Sequence, residues 1–169
     1  MFRYSVRMQL WLILRILVLL TLANGTPVIA TDILKNRFAT PIDGGMKFVD
    51  GRPMLGASKT VRGIFLSVLG TSAFAPVIGL GWRIGALVAS VAMAGDLLSS
   101  FLKRRMSLPA GGKATGLDQI PESLLPLIAC RSALHLTALD IVVGVAFFFV
   151  GELLLSRLLY RFHLRSRPC

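Results

Sequence analysis

The sequence predicts an all-α, polytopic membrane protein: one domain spanning residues 1–169, built as a bundle of about five transmembrane helices with two polar loops on one side. Three observations predict it. Of 169 residues, 54% are hydrophobic and only 16% charged, against about a quarter charged in an ordinary soluble domain. The apolar residues gather in runs long enough to cross a bilayer as helices. The remaining charges are mostly cationic, 19 Lys and Arg against 8 Asp and Glu, for a net charge of +11. Set between apolar spans, such charge suits a membrane surface, and no nucleic-acid partner is expected.

The first run is MQLWLILRILVLLTLANG, residues 8–25. Arg3 and Arg7 precede it, as they would a secretory signal. The run is long for a signal's apolar region and contains Arg15, so a retained span is expected. Arg15 should face the bundle or reach towards an interface. Residues 26–60 read as a polar segment rich in Gly, Pro and Asp. A second span starts near Val61, with Pro76 as its kink and Gly79 and Gly81 marking the following turn. The third covers residues 83–105, and residues 106–120 form a second loop. The run 121–160 exceeds one helix of about 20 residues, so it is expected to hold two, joined near His135–Asp140.

Five spans leave the termini on opposite sides, and charge orients them. One face collects Lys35, Arg37, Lys47, Arg52, Lys59 and Arg62, then Lys103, Arg104, Arg105 and Lys113, then Arg157, Arg161, Arg165 and Arg167. The other has Arg3, Arg7 and Arg83. The positive-inside rule places both loops and the C-terminus in the cytoplasm, with the chain in the cytoplasmic (inner) membrane. Cys130 and Cys169, and His135 and His163, show neither disulfide nor metal-ligand spacing.

Two stretches carry chemistry. DGRPMLGASKTVRG, residues 50–63, has glycines at phosphate-loop spacing, but Ala57 and Ser58 intervene before Lys59 and no strand precedes it. A nucleotide-binding P-loop is therefore excluded. What remains is a loop delivering Lys59, Thr60 and Arg62 to a helix start, where the first N–H groups favour an anion. Interfacial cations on lipid headgroups would read the same way. In the third span Asp96, Ser99, Ser100 and Lys103 share one helical face, with Asp96 roughly 10 Å below Lys103. An ionisable group at that depth needs a partner or a cavity. Either a divalent metal or an ion pair with Lys103 or an arginine would answer. Asp118 is the second carboxylate; it and Glu122 also stand where helices begin.

NGTPV (24–28), PIDGGMKFVDGRPMLGASKTVRG (41–63), GDLLSSFLKRR (95–105) and GLDQ (116–119) resemble the CDP-archaeol synthase family, related to the phosphatidate cytidylyltransferases. The resemblance implies a small multi-span enzyme that uses CTP and Mg²⁺ to convert a membrane lipid phosphate into a CDP-lipid, releasing pyrophosphate. By motif it implies metal binding at Asp96 and Asp118, with Lys103 beside them at the catalytic centre. Phosphate binding falls to Lys59, Arg62 and Arg104, with Thr60, Ser100 and Asp50 as supports. Beyond Asp118 the family carries a further acidic residue, and Glu122 is the nearest candidate. Phosphatidate or another acyl- or polyprenyl-glycerophosphate would fit the residues as well as the archaeal lipid. The rival class is a non-catalytic membrane protein that binds anionic lipids, a scaffold or small transporter.

Overall fold

The computed structural model describes residues 9–35, 37–108 and 116–161. Arg3, Arg7, Lys113, His163, Arg165, Arg167 and Cys169 lie outside them, and with them part of the charge pattern. The chain folds as α1 (Leu10–Leu34), α2 (Val61–Phe74), a short 3-10 helix (Ala75–Ile78), α3 (Trp82–Arg105), α4 (Gln119–Ala129), α5 (Arg131–Leu134) and α6 (Ala138–Arg161). Among the described residues there is no strand, only two isolated antiparallel bridges, Pro41 with Thr60 and Lys47 with Pro53.

Among the described residues four helices are long and apolar enough to cross a membrane: α1, α2 with its 3-10 extension, α3 and α6. The fifth traverse of the expected five is not a helix of that length. The remaining traverse is α4, 11 residues long, followed by the single turn of α5. Together they reach about 24 Å at 1.5 Å per residue, short of the roughly 30 Å hydrocarbon core. Pro126 inside α4 has no N–H to bond the preceding turn, and His135 ends α5 in a left-handed conformation, φ 53°. The pair still carries the chain from one end of the bundle to the other. At the far end the Gln9 backbone N–H donates to Asp140 Oδ1 at 3.0 Å and its side-chain amide donates to the His135 carbonyl at 3.3 Å. Asp118 and the later part of α6 both lie at the opposite end.

The first polar segment also begins later than expected. α1 continues through Pro27 to Leu34, and the hydroxyls of Thr26 and Thr31 donate to the carbonyls of Leu22 and Pro27 one turn back, at 2.6 and 2.8 Å. Pro27 frees the Ala23 carbonyl from its helical partner, and the buried Ser67 hydroxyl of α2 donates to it at 2.7 Å. That bond ties α1 to α2 at the depth of the site. Pro76 lies in the 3-10 extension and Gly79 takes φ 74° at the turn. Arg15 sits at this far end, over the Trp11 ring at 5.2 Å and beside Gly79.

Ile13, Ile16, Leu19, Leu20, Val88 and Leu127 are fully buried between the helices. Trp11, Ile33, Phe65, Val77 and Val142 point outward with 64–75% exposure, the apolar belt that lipid requires. Small residues set the closest approaches. A Cβ at Gly85 would stand 2.7 Å from the Thr71 carbonyl of α2. One at Gly95 would stand 2.5 Å from the Pro121 carbonyl oxygen and 3.0 Å from the Glu122 nitrogen. Only glycine lets α3 and the first turn of α4 meet so closely, and this contact sets Asp96 beside Glu122.

Candidate active site

The site forms at the end of the bundle where α1, α3 and α6 finish and α2 and α4 begin. Residues 41–60 are folded back over it by Asp43, only 4% exposed. Asp43 Oδ1 accepts from the Gly45 N–H at 3.0 Å, and Oδ2 accepts from Leu55 and Gly56 at 2.9 and 3.1 Å. Burial raises the Asp43 pKa, but these three backbone donors outweigh it and hold the carboxyl below its ordinary value. Gly45 and Gly56 take positive φ, 78° and 102°, to bring their N–H groups round. The result is a knot in the loop, a few residues before Lys59.

A second tie fastens the outer hairpin. The Arg105 guanidinium lies 4.7 Å from the Phe48 ring and 5.0 Å from the Phe101 ring. It also pairs with the Asp50 carboxylate and donates to the Pro53 carbonyl at 2.7 Å. Asp50 is held below its ordinary pKa: the slight burial cost is outweighed by the Arg52 N–H and the Arg105 charge. Asp50 therefore anchors the hairpin to α3.

Thr60 caps α2, its hydroxyl accepting from the Gly63 N–H at 3.3 Å. With the loop so tied, Lys59 Nζ reaches both Asp96 oxygens, at 2.6 and 2.5 Å. Lys103 Nζ meets Asp118 Oδ1 at 2.7 Å. The two ion pairs are crossed: each joins α3 to a loop, and the i, i+7 pairing of Asp96 with Lys103 does not form. Asp118 stands at the α4 N-cap position without capping it, because its carboxylate is directed to Lys103. Arg62 donates to the carbonyls of Arg37 and Lys35, the latter at 2.6 Å.

The two ion pairs, Thr60 and Arg62 line one chamber of about 500 Å³. It gathers Lys59, Thr60 and Arg62 from the loop and α2, Asp96, Ser100, Lys103 and Arg104 from α3, and Asp118 from the start of α4. Of the site residues implied by motif, Asp50 lies elsewhere. Ser99, on the same stripe, turns its hydroxyl to the Asp96 carbonyl at 3.0 Å and does not line the chamber. The chamber also takes in Glu122, the nearest candidate for the further acidic residue, and Asn24 and Glu152, to which the sequence reading gave no role. Glu152 was legible as an acid within an apolar span. Asn24 brings an amide whose nitrogen and oxygen are both shielded and have no hydrogen-bond partner among the described residues, a group a ligand could satisfy.

Among the described residues no three His, Cys, Asp or Glu side chains stand close enough together to hold a metal alone. The donor set fits a different arrangement. Mg²⁺ commonly takes one or two carboxylates and completes its shell with water and substrate phosphates. Asp96 and Asp118 line one chamber with lysines, so a metal–nucleotide complex could be gripped by both signs of charge.

Comparison with known proteins points to one family. Residues 72–168 match the family model for CarS-like CDP-archaeol synthases. The CDP-archaeol synthase of Sulfurisphaera tokodaii is 36% identical over 154 residues, covering 86% of this chain and 88% of that one. That of Hyperthermus butylicus is 38% identical over 122 residues, covering 67% and 70%. A solved structure described as an intramembrane enzyme for archaeal membrane lipids biosynthesis superposes with a TM-score of 0.71 and 29% identity, over 82% of this chain and 89% of that one.

Proposed function

The chain belongs to the CDP-archaeol synthase family, and from that premise we propose that its charged chamber joins CTP to an archaeol-type lipid phosphate with the help of Mg²⁺, releasing pyrophosphate. The chain is thus a membrane-embedded CTP:lipid-phosphate cytidylyltransferase. The single observation that carries the mechanism is the pair of crossed ion pairs, Lys59–Asp96 and Lys103–Asp118, in one chamber. They hold four charges in place in a poorly solvated site before substrate arrives.

As the nucleotide enters, the two ammonium groups transfer from carboxylate to phosphate oxygens. Asp96 and Asp118, so freed, would be the residues to hold a metal ion. The bound ion would neutralise charge on the phosphates of CTP. Lys59, Lys103 and Arg104 then hold the nucleotide with its α-phosphorus towards the lipid. An oxygen of the lipid phosphate forms the new bond to that phosphorus. The bond from Pα to the bridging oxygen breaks, and its electron pair leaves with pyrophosphate. No covalent enzyme intermediate is required, since positioning and preorganised charge supply most of the catalysis in phosphoryl-type transfers. Clustered Lys35, Arg37, Lys47, Arg52, Arg62 and Arg105 at the chamber end support a cytoplasmic orientation of the site, on the side where CTP is found. A passive lipid-binding scaffold would have no use for two part-buried carboxylates neutralising its own lysines.

The test uses the purified full chain in detergent, radiolabelled CTP, Mg²⁺ and a panel containing archaeol-type phosphate and phosphatidate. Labelled CDP-lipid and an equal amount of pyrophosphate are expected with the archaeol-type substrate. No labelled lipid from any member of the panel would refute the reading.

A further inference from the structure

The hairpin around residues 47–53 is ordered, yet its tip is apolar and open. Lys47 and Pro53 form an antiparallel bridge, and the Phe48 N–H donates to the Arg52 carbonyl at 2.8 Å. Val49 at the tip is 96% exposed, and Met46 and Phe48 are exposed beside it. Apolar side chains gathered in this way on an ordered turn mark an interaction surface. We propose that Met46, Phe48 and Val49 form an interfacial anchor that dips into the membrane leaflet at the chamber end, with Lys47 and Arg52 meeting lipid phosphates.

The side of α3 that holds the hairpin argues for lipid. Phe48 lies edge-on to Phe101, ring centroids 5.3 Å apart, and the Arg105 guanidinium sits against both rings. Phe101 and Arg105 share a helical face with Leu98 and Leu102, both exposed. Asp96, Ser100 and Lys103, which line the chamber, occupy the opposite face. The tip is therefore clamped to the outward side of a helix long and apolar enough to span the membrane. Depth gives the same answer. Trp82 opens α3 as an exposed aromatic, the type that settles at a membrane interface. The rise from Trp82 to Phe101 is about 28 Å at 1.5 Å per residue, close to the roughly 30 Å hydrocarbon thickness. Phe48 thus stands at the opposite hydrocarbon boundary, and Arg105 lies one turn further, among the headgroups. Interfacial elements combine apolar side chains below the headgroups with basic residues that attract anionic lipid. Lys47 and Arg52 flank the tip as such residues. Asp50, the one acid in the hairpin, is paired with Arg105 and accepts from the Arg52 N–H at 3.1 Å, so the surface offered to lipid is cationic.

The experiment places an environment-sensitive fluorophore at Val49→Cys or, as a lipid-contacting reference, at Leu102→Cys. Each is made in the full chain carrying Cys169→Ser; Cys130 is buried and should not label. The proteins are reconstituted in vesicles of phosphocholine lipid with a minority of phosphoglycerol lipid. Quenching is read with a nitroxide on the lipid acyl chain and, separately, with aqueous iodide. The Val49 probe should be quenched by the nitroxide nearly as strongly as the Leu102 probe, and only weakly by iodide. Adding Phe48→Ser, which releases the tip from Phe101, should lower nitroxide quenching at Val49 severalfold and leave it unchanged at Leu102. Strong iodide quenching at Val49 with no nitroxide quenching would overturn the proposal by placing the tip in water. Shielding from both quenchers would overturn it in favour of a second copy or another protein over the tip. Nitroxide quenching at Val49 that survives Phe48→Ser would also overturn it, because the dye and not the fold would then be seeking the lipid.

Discussion

Gly95→Ala is the substitution in which the packing argument and the helix-propensity argument give opposite signs. Exchanging a mid-helix glycine for alanine ordinarily stabilises by about 1 kcal/mol. Here the new Cβ would stand 2.5 Å from the Pro121 carbonyl oxygen and 2.7 Å from its carbon. Comfortable contact between such atoms is about 3.5 Å, so α3 and α4 must separate by about 1 Å, and the neighbouring atoms are backbone that cannot rotate away. Overpacking of this kind costs about 1–3 kcal/mol, which exceeds the propensity gain and makes the variant less stable. The effect on turnover should be larger. α4 carries Asp118 and Glu122, so the separation shifts both from Asp96 and Lys103, and a misplacement of about 1 Å can cost about 100-fold in rate. The assay is CDP-lipid formation beside thermal unfolding in the same detergent. Gly70→Ala in α2, where a Cβ meets nothing within 4 Å, is the control and should be as stable as the wild type or slightly more so, with full activity. A Gly95→Ala protein with wild-type rate and stability would refute the claim that this close approach builds the site.

Asp96→Asn removes the charge facing Lys59 and a proposed metal ligand, so CDP-lipid formation should fall by about 100- to 1000-fold while membrane insertion, read by protease protection, is unchanged. Asp43→Ala unties the loop; because Lys59 is delivered by that loop, the KM for CTP should rise, and limited proteolysis within residues 44–57 should accelerate. Since the Asp43 carboxyl is held below its ordinary value, its stabilisation is complete above about pH 4 and is lost only as pH falls further through the lowered value. Loop proteolysis of the wild type should therefore be flat from neutral pH to about pH 5, and a rise in that window would contradict the assignment. Ser67→Ala leaves the Ala23 carbonyl freed by Pro27 without its donor, and should cost about 1–3 kcal/mol of stability without altering the KM for CTP.

Much of this protein is written in local pattern. Apolar run length marks the bundle, Pro76 and Gly79 mark a bend and a turn where both occur, and Thr60 announces the start of α2. The acids and cations of the site were legible as well, because a charged residue near an apolar span must be explained by something. The last run divides where expected, near His135–Asp140, but pattern did not give the length of its first part. α4 and α5 are apolar enough to suggest a full span, but Pro126 and the left-handed His135 leave them short. α1 runs on past Pro27, where the carbonyl that the proline frees, that of Ala23, finds a donor in the Ser67 hydroxyl of α2.

Sequence by itself determined which residues carry charge, how deep along each helix they sit, and which end of the bundle they share, since these follow from hydropathy and the 1.5 Å helical rise. Tertiary structure alone decided who pairs with whom. Asp96 could have met Lys103 on its own helix and instead meets Lys59, and Asp118 turns from capping α4 to meet Lys103. The choice depends on a loop knotted by Asp43 and on two backbones that touch at Gly95. Contacts between residues tens of positions apart depend on where the intervening chain is fastened, and helical periodicity carries no information about that.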